Sequence, residues 1–359
     1  MNSLKDDNVK LYVVSKDNDG FTQVDISLDT GIPESTINDF LNKKSYAKWW
    51  AENGGSVLCL TSEKPVSVAV KTSDTLPRPR INSIKSDVEP IIIQTSKVVK
   101  EFPTHIMIPD TQVKPDIDMS YLRWVGQYIA KKKPDVIIHI GDHFDLPSLS
   151  SYDRGTRKAE GNRLHFDIEA GILGMNILLE PIAQVQAAEL MEFGEVKWKP
   201  KMVFTIGNHE ERLMRHVNYN PELDGFVSYD DFKLEENGWE VYDFLEPAVV
   251  NGVTYCHFMA NPMSGKPYGG AALNVLKQVG ESFTMGHKQT LDIATRALPA
   301  SGRQQWAIIA GSCYTHHEEY KGYQGNHHWR GIVVKHQVND GDYNPMFIDL
   351  NWLEEKYGF

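Results

Sequence analysis

Three short apolar stretches in the middle of the chain each run directly into polar residues. The stretch from Val136 to Ile140 is mostly β-branched and lacks Asp, Glu, Lys and Arg, which predicts a buried strand that ends at Gly141. Residues 105–109 and 202–206 repeat this pattern. In an open α/β sheet, ligands bind beyond the carboxyl ends of the strands, so the polar residues after these stretches predict a functional site.

Helical patterns and further apolar stretches surround these strands. Leu122, Val125 and Ile129 share one face of a helix whose last turn carries lysines, where positive charge suits the helix dipole. Residues 162–194 are long, helical and largely apolar, and we expect them to pack on the sheet. The later predicted strands are VTYCHF, ESFTMGH, WAIIAGSCY, GIVVKHQV and MFIDLNWL. Strands that alternate with helices predict an α/β domain.

Residues 1–50 have a separate pattern of two short helices joined by a turn at Gly31. The apolar faces of these helices are Val24, Leu28, Ile37, Phe40 and Leu41. The stretch FTQVDISLDTGIPESTINDFL resembles the helix-turn-helix of regulators and transposases, which implies contact with DNA. Any two short helices give this pattern, however, and six lysines against eight acidic residues are a poor match to a basic DNA-binding surface. The unit therefore predicts binding to DNA or, alternatively, to a protein partner.

Residues 51–100 join this unit to the α/β domain, which covers residues 101–359. The alternating stretch SVLCLTSEKPVSVAVKT predicts a short β-segment, and LPRPR predicts an extended linker after it. Several basic residues of this region can contact phosphate groups, although a solvated linker needs no such contact. They are Arg78, Arg80, Lys85, Lys97 and Lys100.

Composition narrows the classes of function. The net charge of −11 argues against a protein that coats nucleic acid in general, although it allows a local basic surface. Three scattered cysteines without C-x-x-C spacing indicate a reducing compartment and no cysteine zinc site. The first ten residues lack the apolar segment of a signal peptide, and no run of eighteen apolar residues indicates a membrane span. We expect a soluble, cytoplasmic protein of a bacterial or phage-infected cell, with no membrane partner.

Five motifs close the predicted strands: DTQ from Asp110, GDHFD from Gly141, GNHE from Gly207, His257, and GHKQ from Gly286. Their order is similar to that of the calcineurin-like metallophosphoesterases, whose motifs are D-x-H, G-D-x-x-D, G-N-H-[DE], a single H and G-H-x-H. The combination IPDTQVKPD resembles the phage-encoded branch of the family. The resemblance implies a four-layer α/β/β/α sandwich and a metal-dependent phosphoric ester hydrolase.

The resemblance also implies a centre for two divalent metal ions. Two ions about 3.5–4 Å apart can neutralise the phosphoryl oxygens and generate hydroxide at neutral pH, both of which phosphoester hydrolysis requires. Asp142 corresponds to the carboxylate that bridges the two ions. The remaining ligands form two sets, with Asn208, His257 and His287 in one and Asp110, Gln112 and Gln289 in the other.

The second set departs from the family pattern, because glutamine replaces both of its histidines. Amide oxygen is a harder ligand than imidazole, so this site should bind its ion more weakly and favour Mn²⁺ or Mg²⁺ over Zn²⁺. It can also stay empty until substrate binds. We expect Mn²⁺ as the metal, with Mg²⁺, Zn²⁺ and iron as alternatives. Ordinary polar loop residues are the alternative interpretation of Gln112 and Gln289.

The same motifs supply candidate catalytic and substrate-binding residues. The family uses the histidine at the position of His209 to protonate the leaving oxygen, and by resemblance Asp145 hydrogen-bonds this histidine and keeps it charged. Arg212, in a helix that opens at Asn208, can clamp a phosphate, or it is a surface charge of the helix. His143 can reach a metal ion or the substrate, or it packs in the interior.

The function that these features predict is cleavage of phosphodiester bonds by a nuclease that acts on DNA. A helix-turn-helix candidate and a basic linker favour nucleic acid. The alternatives are a phosphomonoesterase that acts on a protein or a nucleotide, and a non-catalytic binding module with a degenerate site. The intact motif residues argue against the last alternative. The segment GSCYTHHEEYKGYQGNHHWRG is interpreted as a substrate-side loop with aromatic faces rather than as a metal site.

Overall fold

A computed structural model gives the structure of the chain and describes residues 32, 35–37, 88–97, 100–318 and 321–358. The chain divides into two compact units, Met1–Pro79 and Arg80–Phe359. In the first unit, residues 35–37 are helical and Ile37 is buried. The rest of the predicted helix-turn-helix and the β-segment lie outside the described residues, so the domain boundaries at residues 50 and 100 stay predictions.

The second unit contains two β-sheets. Its strands are β1 (His105–Ile108), β2 (Val136–His139), β3 (Lys201–Thr205), β4 (Glu240–Tyr242), β5 (Ala248–Val250), β6 (Val253–Tyr255), β7 (Phe283–Met285), β8 (Leu291–Leu298), β9 (Arg303–Ala310), β10 (Gly331–Asn339) and β11 (Asp342–Asp349). The first sheet has the order β11-β10-β1-β2-β3-β4, in which β1 to β4 are parallel. The second sheet has the order β5-β6-β7-β9-β8, in which β6, β7 and β9 are parallel.

Helices pack on the outer faces of both sheets. The helices in the described part of this unit are α1 (Ser120–Lys132), α2 (Leu164–Phe193), α3 (Glu211–Tyr219), α4 (Ala272–Val279), α5 (Gly322–Gly325) and α6 (Leu350–Tyr357). Side chains of α1, α2 and α6 share one core with the first sheet, and side chains of α4 share another core with the second sheet. A third core lies between the two sheets. These layers are the predicted α/β/β/α sandwich, so the predicted fold class is confirmed.

The strands of the first sheet are apolar throughout because both of their faces are buried. In β1, Ile106 and Ile108 belong to the core with the helices, whereas Met107 belongs to the core between the sheets. In β2, Ile137 belongs to the core with the helices and Ile138 to the core between the sheets. Successive side chains of a strand point to opposite faces, so a strand covered on both sides reads as a continuous apolar run.

Helix α2 packs on α1 and supports the loop that follows β2. Its residue Gly171 contacts the ring of Phe144, and a Cβ atom at this glycine would lie 2.0 Å from the ring. By length and composition α2 is apolar enough to cross a membrane, but 56% of its most apolar window is buried in the described structure. The core helix of a globular domain has the same properties, and this helix has the bounds that the sequence predicts within two residues.

The closing stretch MFIDLNWL is predicted as a strand, and its last four residues contradict that prediction. Strand β11 ends at Asp349 and helix α6 begins at Leu350. The Asp349 side chain accepts a hydrogen bond from the backbone N–H of Asn351, which is the usual arrangement at a helix N-terminus. The helix predicted to open at Asn208 also begins later, at Glu211. Asp349 is therefore both the last residue of β11 and the cap of α6, whereas a turn separates β3 from α3.

Candidate metal centre

Polar residues that follow parallel strands meet at one edge of the two sheets. Asp110, Asp142 and Asn208 come after β1, β2 and β3 of the first sheet. His257 and His287 come two residues after β6 and β7 of the second sheet, in the loops rather than in the strands. The nearest ligand atoms of Asp110, Asp142 and His257 all lie within 4.8 Å of one another. The two sheets therefore contribute to a single centre.

Four ligand atoms converge on one side, which we call the Asn208 half (Asp142, Asn208, His257 and His287). The Asn208 Oδ1 atom lies 2.9 Å from His257 Nε2 and 2.6 Å from His287 Nδ1. The Asp142 Oδ2 atom lies 3.3 Å from His257 Nε2. His257 Nδ1 donates to the carbonyl oxygen of Ile140 at 2.9 Å, which directs the Nε2 lone pair towards the centre. Two imidazole nitrogens and two oxygens fit a divalent transition metal ion.

The other side, the Asp110 half (Asp110, Gln112 and Gln289), contains buried oxygens without a hydrogen-bond partner. These atoms are Asp110 Oδ2 and Gln112 Oε1. Burial raises the pKa of Asp110 to about 6, and the neighbouring Asp142 carboxylate acts in the same direction. Buried acceptors without partners destabilise a protein, and a positive charge would satisfy both atoms. The Asp110 half therefore also fits a cation.

The two glutamines lie beside the centre but bond to different partners. Gln112 Nε2 donates to Asp142 Oδ2 at 3.2 Å. The amide oxygen of Gln289 accepts a hydrogen bond from the Tyr314 hydroxyl at 2.8 Å and another from the Lys321 ammonium group. Neither Tyr314 nor Lys321 is indicated by the motifs. The assignment of both glutamines as metal ligands stays a prediction.

Several residues of the centre adopt a left-handed backbone, which is uncommon outside glycine. The φ angles are 48° at Gln112, 50° at Asp142, 66° at His287 and 53° at Gln289. Such conformations cluster at functional sites, where the surrounding structure holds them. The loops also approach closely, because a Cβ atom at Gly207 would lie 2.3 Å from Asp142 Oδ1. This contact explains why the G-N-H-E motif begins with glycine.

His209 lies beside the Asn208 half and is held by a carboxylate. Its Nδ1 atom lies 2.6 Å from Asp145 Oδ1, and its Nε2 atom lies 3.7 Å from Asp142 Oδ2. Arg212 donates to the Asp145 carbonyl oxygen at 2.6 Å, and its guanidinium group lies 3.1 Å from His209 Nε2. Although burial opposes it, the His209 hydrogen bond and the charges of His209, Lys114 and Arg212 hold the pKa of Asp145 below its usual range. A charged Asp145 fixes the imidazole with Nε2 towards the centre.

Lys114 is a further charged residue of the site, and the sequence motifs do not indicate it. Its Nζ atom lies 3.2 Å from Asp145 Oδ2 and 2.7 Å from Glu318 Oε1. It thus links the carboxylate that holds His209 to the segment after β9. Lys114 stands in the motif IPDTQVKPD, but a single sequence gives no reason to pair it with a residue 204 positions away.

Glu210 is a second residue whose role only the structure reveals. Its carboxylate accepts hydrogen bonds of 2.6–2.9 Å from the backbone N–H groups of Asp142, His143, Phe144 and Gly207. Burial and the Asp142 carboxylate raise the pKa of Glu210 to about 7, while the backbone donors oppose this shift. Glu210 therefore joins the loop after β2 to the loop after β3 and sets the distance between their ligands.

His143 occupies the interior rather than the substrate side. The residue is fully buried, its Nδ1 atom lies 2.7 Å from Thr111 Oγ1, and its Nε2 atom lies 2.9 Å from the Gly171 carbonyl oxygen. Burial lowers the pKa of His143 to about 4. With both ring nitrogens bonded to protein groups, this position does not support the predicted contact with metal or substrate. The alternative of interior packing fits it.

The segment rich in histidine and tyrosine lies directly against the centre. The backbone N–H of Cys313 donates to the Asp110 carbonyl oxygen at 2.8 Å. His316 Nε2 lies 2.8 Å from Glu318 Oε1, and His328 Nε2 bonds to a serine hydroxyl at 2.7 Å. These two histidines therefore have protein partners, and the interpretation of the segment as a substrate-side loop stays a prediction.

The fold and the centre together define a phosphoesterase. A profile of the calcineurin-like phosphoesterases matches residues 107–344, which is about two thirds of the chain. The chain belongs to the calcineurin-like phosphoesterase family and is a metal-dependent phosphoric ester hydrolase. This family membership confirms what the order of the five motifs predicts.

The chain is also similar to proteins of bacteriophages. It is 28% identical to the gene 54 protein of Mycobacterium phage L5 over 217 residues, which cover 58% of this chain and 78% of that protein. It is 27% identical to the gene 54 protein of Mycobacterium phage D29 over 218 residues, with the same shares of 58% and 78%. Among solved structures, Yfce, a phosphoesterase from E. coli, covers 69% of this chain and 100% of its own at 12% identity, but its TM-score of 0.31 supports no argument. The predicted resemblance to the phage-encoded branch is confirmed.

Proposed function

We propose that this phosphoesterase hydrolyses phosphodiester bonds of nucleic acid, with DNA as its substrate. The observation that carries the hydrolytic part is the position of His209, held by Asp145 at the edge of the ligand atoms of the Asn208 half. A proton donor beside a metal centre is the arrangement that cleavage of a phosphoester with a poor leaving group requires. A module that only binds phosphate has no need of such a donor.

Each residue of the centre has a separate role in the proposed hydrolysis. A divalent ion in the Asn208 half, when bound, would neutralise charge on the phosphoryl group and lower the pKa of a water molecule. His209 holds a proton at Nε2 and delivers it to the leaving oxygen, while Asp145 keeps the ring oriented. Arg212 lies 3.1 Å from His209 Nε2 and is placed to contact a phosphoryl oxygen.

We propose Mn²⁺ as the ion in the Asn208 half, with Mg²⁺ as the alternative. The two-ion arrangement implied by the family requires a second ion in the Asp110 half. Its binding there should be weaker, because amide groups replace both imidazoles. We place the enzyme in the cytoplasm of the phage-infected cell, since the chain is similar to phage proteins.

An exposed basic stretch supports a polyanionic substrate. Arg154, Arg157, Lys158 and Arg163 are all exposed and lie in the segment that follows the Asp145 loop. Positive side chains close to a catalytic centre neutralise the phosphates of a long nucleic acid on both sides of the scissile bond. A phosphomonoesterase that acts on a small nucleotide has no need of such an extended surface.

The first test compares substrates. Wild-type protein with Mn²⁺, Mg²⁺ or Zn²⁺ is assayed on single- and double-stranded DNA, on bis-p-nitrophenyl phosphate and on p-nitrophenyl phosphate. We expect diesters to be preferred over the monoester, and DNA cleavage to fall steeply with salt because phosphate contacts release counterions. A preference for the monoester with every metal would favour the phosphomonoesterase and refute the nuclease.

The second test separates DNA binding from chemistry. Replacing Arg154, Arg157 and Lys158 with glutamine should lower DNA cleavage and flatten its salt dependence, while hydrolysis of bis-p-nitrophenyl phosphate stays unchanged. The control replaces the exposed Lys131 and Lys132, which lie at the end of α1 that precedes β2. Equal loss of cleavage in both variants would show that the basic stretch has no specific role.

The third test concerns the first unit. Removal of Met1–Pro79 should weaken cleavage of long duplexes and spare the p-nitrophenyl diester if this unit delivers DNA. If the truncated protein retains both activities, the unit serves a protein partner instead.

A further inference from the structure

We propose that the ammonium group of Lys321 supplies the second positive charge of the centre, so that the enzyme works with one resident metal ion in the Asn208 half. This inference rests on the proposed hydrolysis of phosphodiesters. It assigns to a lysine side chain the electrostatic role that a second ion has in a two-metal centre.

The first observation is that the amide oxygen of Gln289 already has protein partners. Its Oε1 atom accepts hydrogen bonds from both the Tyr314 hydroxyl and the Lys321 ammonium group. A carbonyl oxygen has two lone pairs, and these two donors use both of them. In this arrangement the amide at the position of a family metal ligand holds a lysine instead of a metal ion.

The second observation is that Lys321 has donor capacity left for a substrate. Its ammonium group donates to Gln289 and, at 2.9 Å, to the Tyr314 hydroxyl. It also lies 5.6 Å from the centre of the Tyr314 ring. These partners are neutral, and none of the ion pairs between described residues includes Lys321. An ammonium group has three N–H donors, so one remains for a phosphoryl oxygen.

The third observation is that the lysine is anchored to the Asp110 loop. The N–H of Cys313 donates to the Asp110 carbonyl oxygen, and the next residue is Tyr314, which holds Lys321. The guanidinium group of Arg330 lies 4.8 Å from the Tyr314 ring and donates to the Tyr314 carbonyl oxygen at 3.0 Å. Burial lowers the pKa of Lys321 to about 8, and the carboxylates of Asp110 and Glu318 oppose this shift. The segment thus presents a cation on the side where the centre has lost its imidazoles.

Charge balance favours this arrangement. Two carboxylates, Asp110 and Asp142, face one divalent ion and one ammonium group, which leaves a net charge of about +1 for an anionic phosphodiester. In the hydrolysis, the water oxygen forms a new bond to phosphorus and releases one of its two protons to solvent, from which His209 is reprotonated after each turnover. The bond to the leaving oxygen breaks with its electron pair on that oxygen, which takes a proton from His209. Lys321 keeps all its protons and only stabilises the charge that develops.

The test counts metal ions without relying on activity. Wild-type protein is titrated with Mn²⁺, bound metal is measured by elemental analysis, and the electron paramagnetic resonance spectrum is recorded. We expect about one Mn²⁺ per chain at saturation, with the spectrum of an isolated ion. Replacing Lys321 with methionine and Gln289 with histidine together should admit a second Mn²⁺ and produce a spin-coupled pair.

The activity arm uses single variants. Lys321→Met should lower kcat on bis-p-nitrophenyl phosphate by about 10²–10³-fold, the usual effect of losing one group that stabilises developing charge, without loss of the resident ion. Lys321→Arg should recover part of that activity. The control is Lys277→Met, an exposed lysine of α4, which should change neither metal content nor rate.

Two results would overturn the proposal. One is a spin-coupled pair of Mn²⁺ ions in the wild-type chain, which is informative even if no Lys321 variant folds. The other is an unchanged rate for Lys321→Met. If the wild-type protein hydrolyses no phosphoester with any metal, the proposed function fails, and the metal count of the wild-type chain still decides the role of the Asp110 half.

Discussion

The Asn208 half and the Asp110 half are built on similar backbone but carry different chemistry. Both halves place side chains in loops after parallel strands, and both include residues with a left-handed backbone, such as His287 and Gln289. In the Asn208 half, two imidazole nitrogens face an amide oxygen and a carboxylate. In the Asp110 half, one amide donates to Asp142 and the other accepts from a tyrosine and a lysine.

The partners outside each half show why the difference matters. The Ile140 carbonyl oxygen holds His257 Nδ1, which directs the Nε2 atom towards the oxygens of Asp142 and Asn208. The amide oxygen of Gln289 is instead turned towards protein donors. One half is therefore arranged to receive an ion, and the other half already contains a positive charge beside it. The two halves are therefore unequal, although both lie at the same edge of the two sheets.

The largest expected effect comes from Asp142, which belongs to the Asn208 half and accepts a hydrogen bond from Gln112 of the Asp110 half. Asp142→Asn removes the negative charge that faces both positions, and a neutral amide cannot replace it in a buried site. We expect no measurable Mn²⁺ binding by calorimetry and no hydrolysis. The exposed Asp224→Asn variant is the control. Unchanged metal stoichiometry in Asp142→Asn would show that the two halves do not depend on a common carboxylate.

The next effect concerns the proton donor beside the Asn208 half. His209→Ala should lower the rate on DNA by about 10²–10⁴-fold, the usual contribution of general acid catalysis, with metal content unchanged. The loss should be smaller on bis-p-nitrophenyl phosphate, because that leaving group needs no proton. His216→Ala, in the helix α3 that follows His209, serves as the control. Equal losses on both substrates would remove His209 from this role.

A smaller effect is expected at Glu210, which joins the ligand loops after β2 and β3. In Glu210→Gln, an amide N–H group would face backbone N–H donors, which should lower the free energy of unfolding by about 1–3 kcal/mol. We also expect weaker Mn²⁺ binding to the Asn208 half, since the β2 and β3 loops lose their connection. Denaturant unfolding and metal titration measure the two effects. The neighbouring exposed Glu222→Gln variant should change neither, and wild-type stability in Glu210→Gln would contradict this role.

The smallest effect is the conversion of the Asp110 half into a family-like site. Gln112→His combined with Gln289→His should tighten metal binding there by roughly tenfold, the scale on which changes around a metal usually act, and shift preference towards Zn²⁺. Competition titrations with Zn²⁺ and Mn²⁺ measure the change. If the Lys321 ammonium group takes the place of a metal ion in the Asp110 half, adding Lys321→Met should increase the metal affinity of this double variant further. If the affinities for Zn²⁺ and Mn²⁺ do not change, the two glutamines do not cause the difference in metal binding between the halves.

Much of this architecture follows from the sequence because its signals are local. A strand buried on both faces reads as an apolar run, so β1, β2 and β3 are predicted within one residue at each end. The polar residues after these strands lie together because parallel strands bring their carboxyl ends to one edge. The motif order then supplies the family, and with it the expected sandwich of layers.

What the sequence does not reveal depends on contacts between distant residues. The pairing of Lys114 with Glu318 and the contact of Lys321 with Gln289 join segments whose spacing carries no pattern. His143 looks like a site residue because it follows Asp142, but the turn after β2 directs its ring inward to Thr111. Such orientations depend on the backbone angles of the loop and cannot be read from residue type.

The most direct test of the unequal halves is anomalous scattering at the manganese edge from crystals of the wild-type protein grown with a small excess of Mn²⁺. We predict one strong peak among Asp142, Asn208, His257 and His287, and a much weaker peak or none beside Asp110 and Gln112. Two peaks of equal height at the same metal concentration would contradict the account.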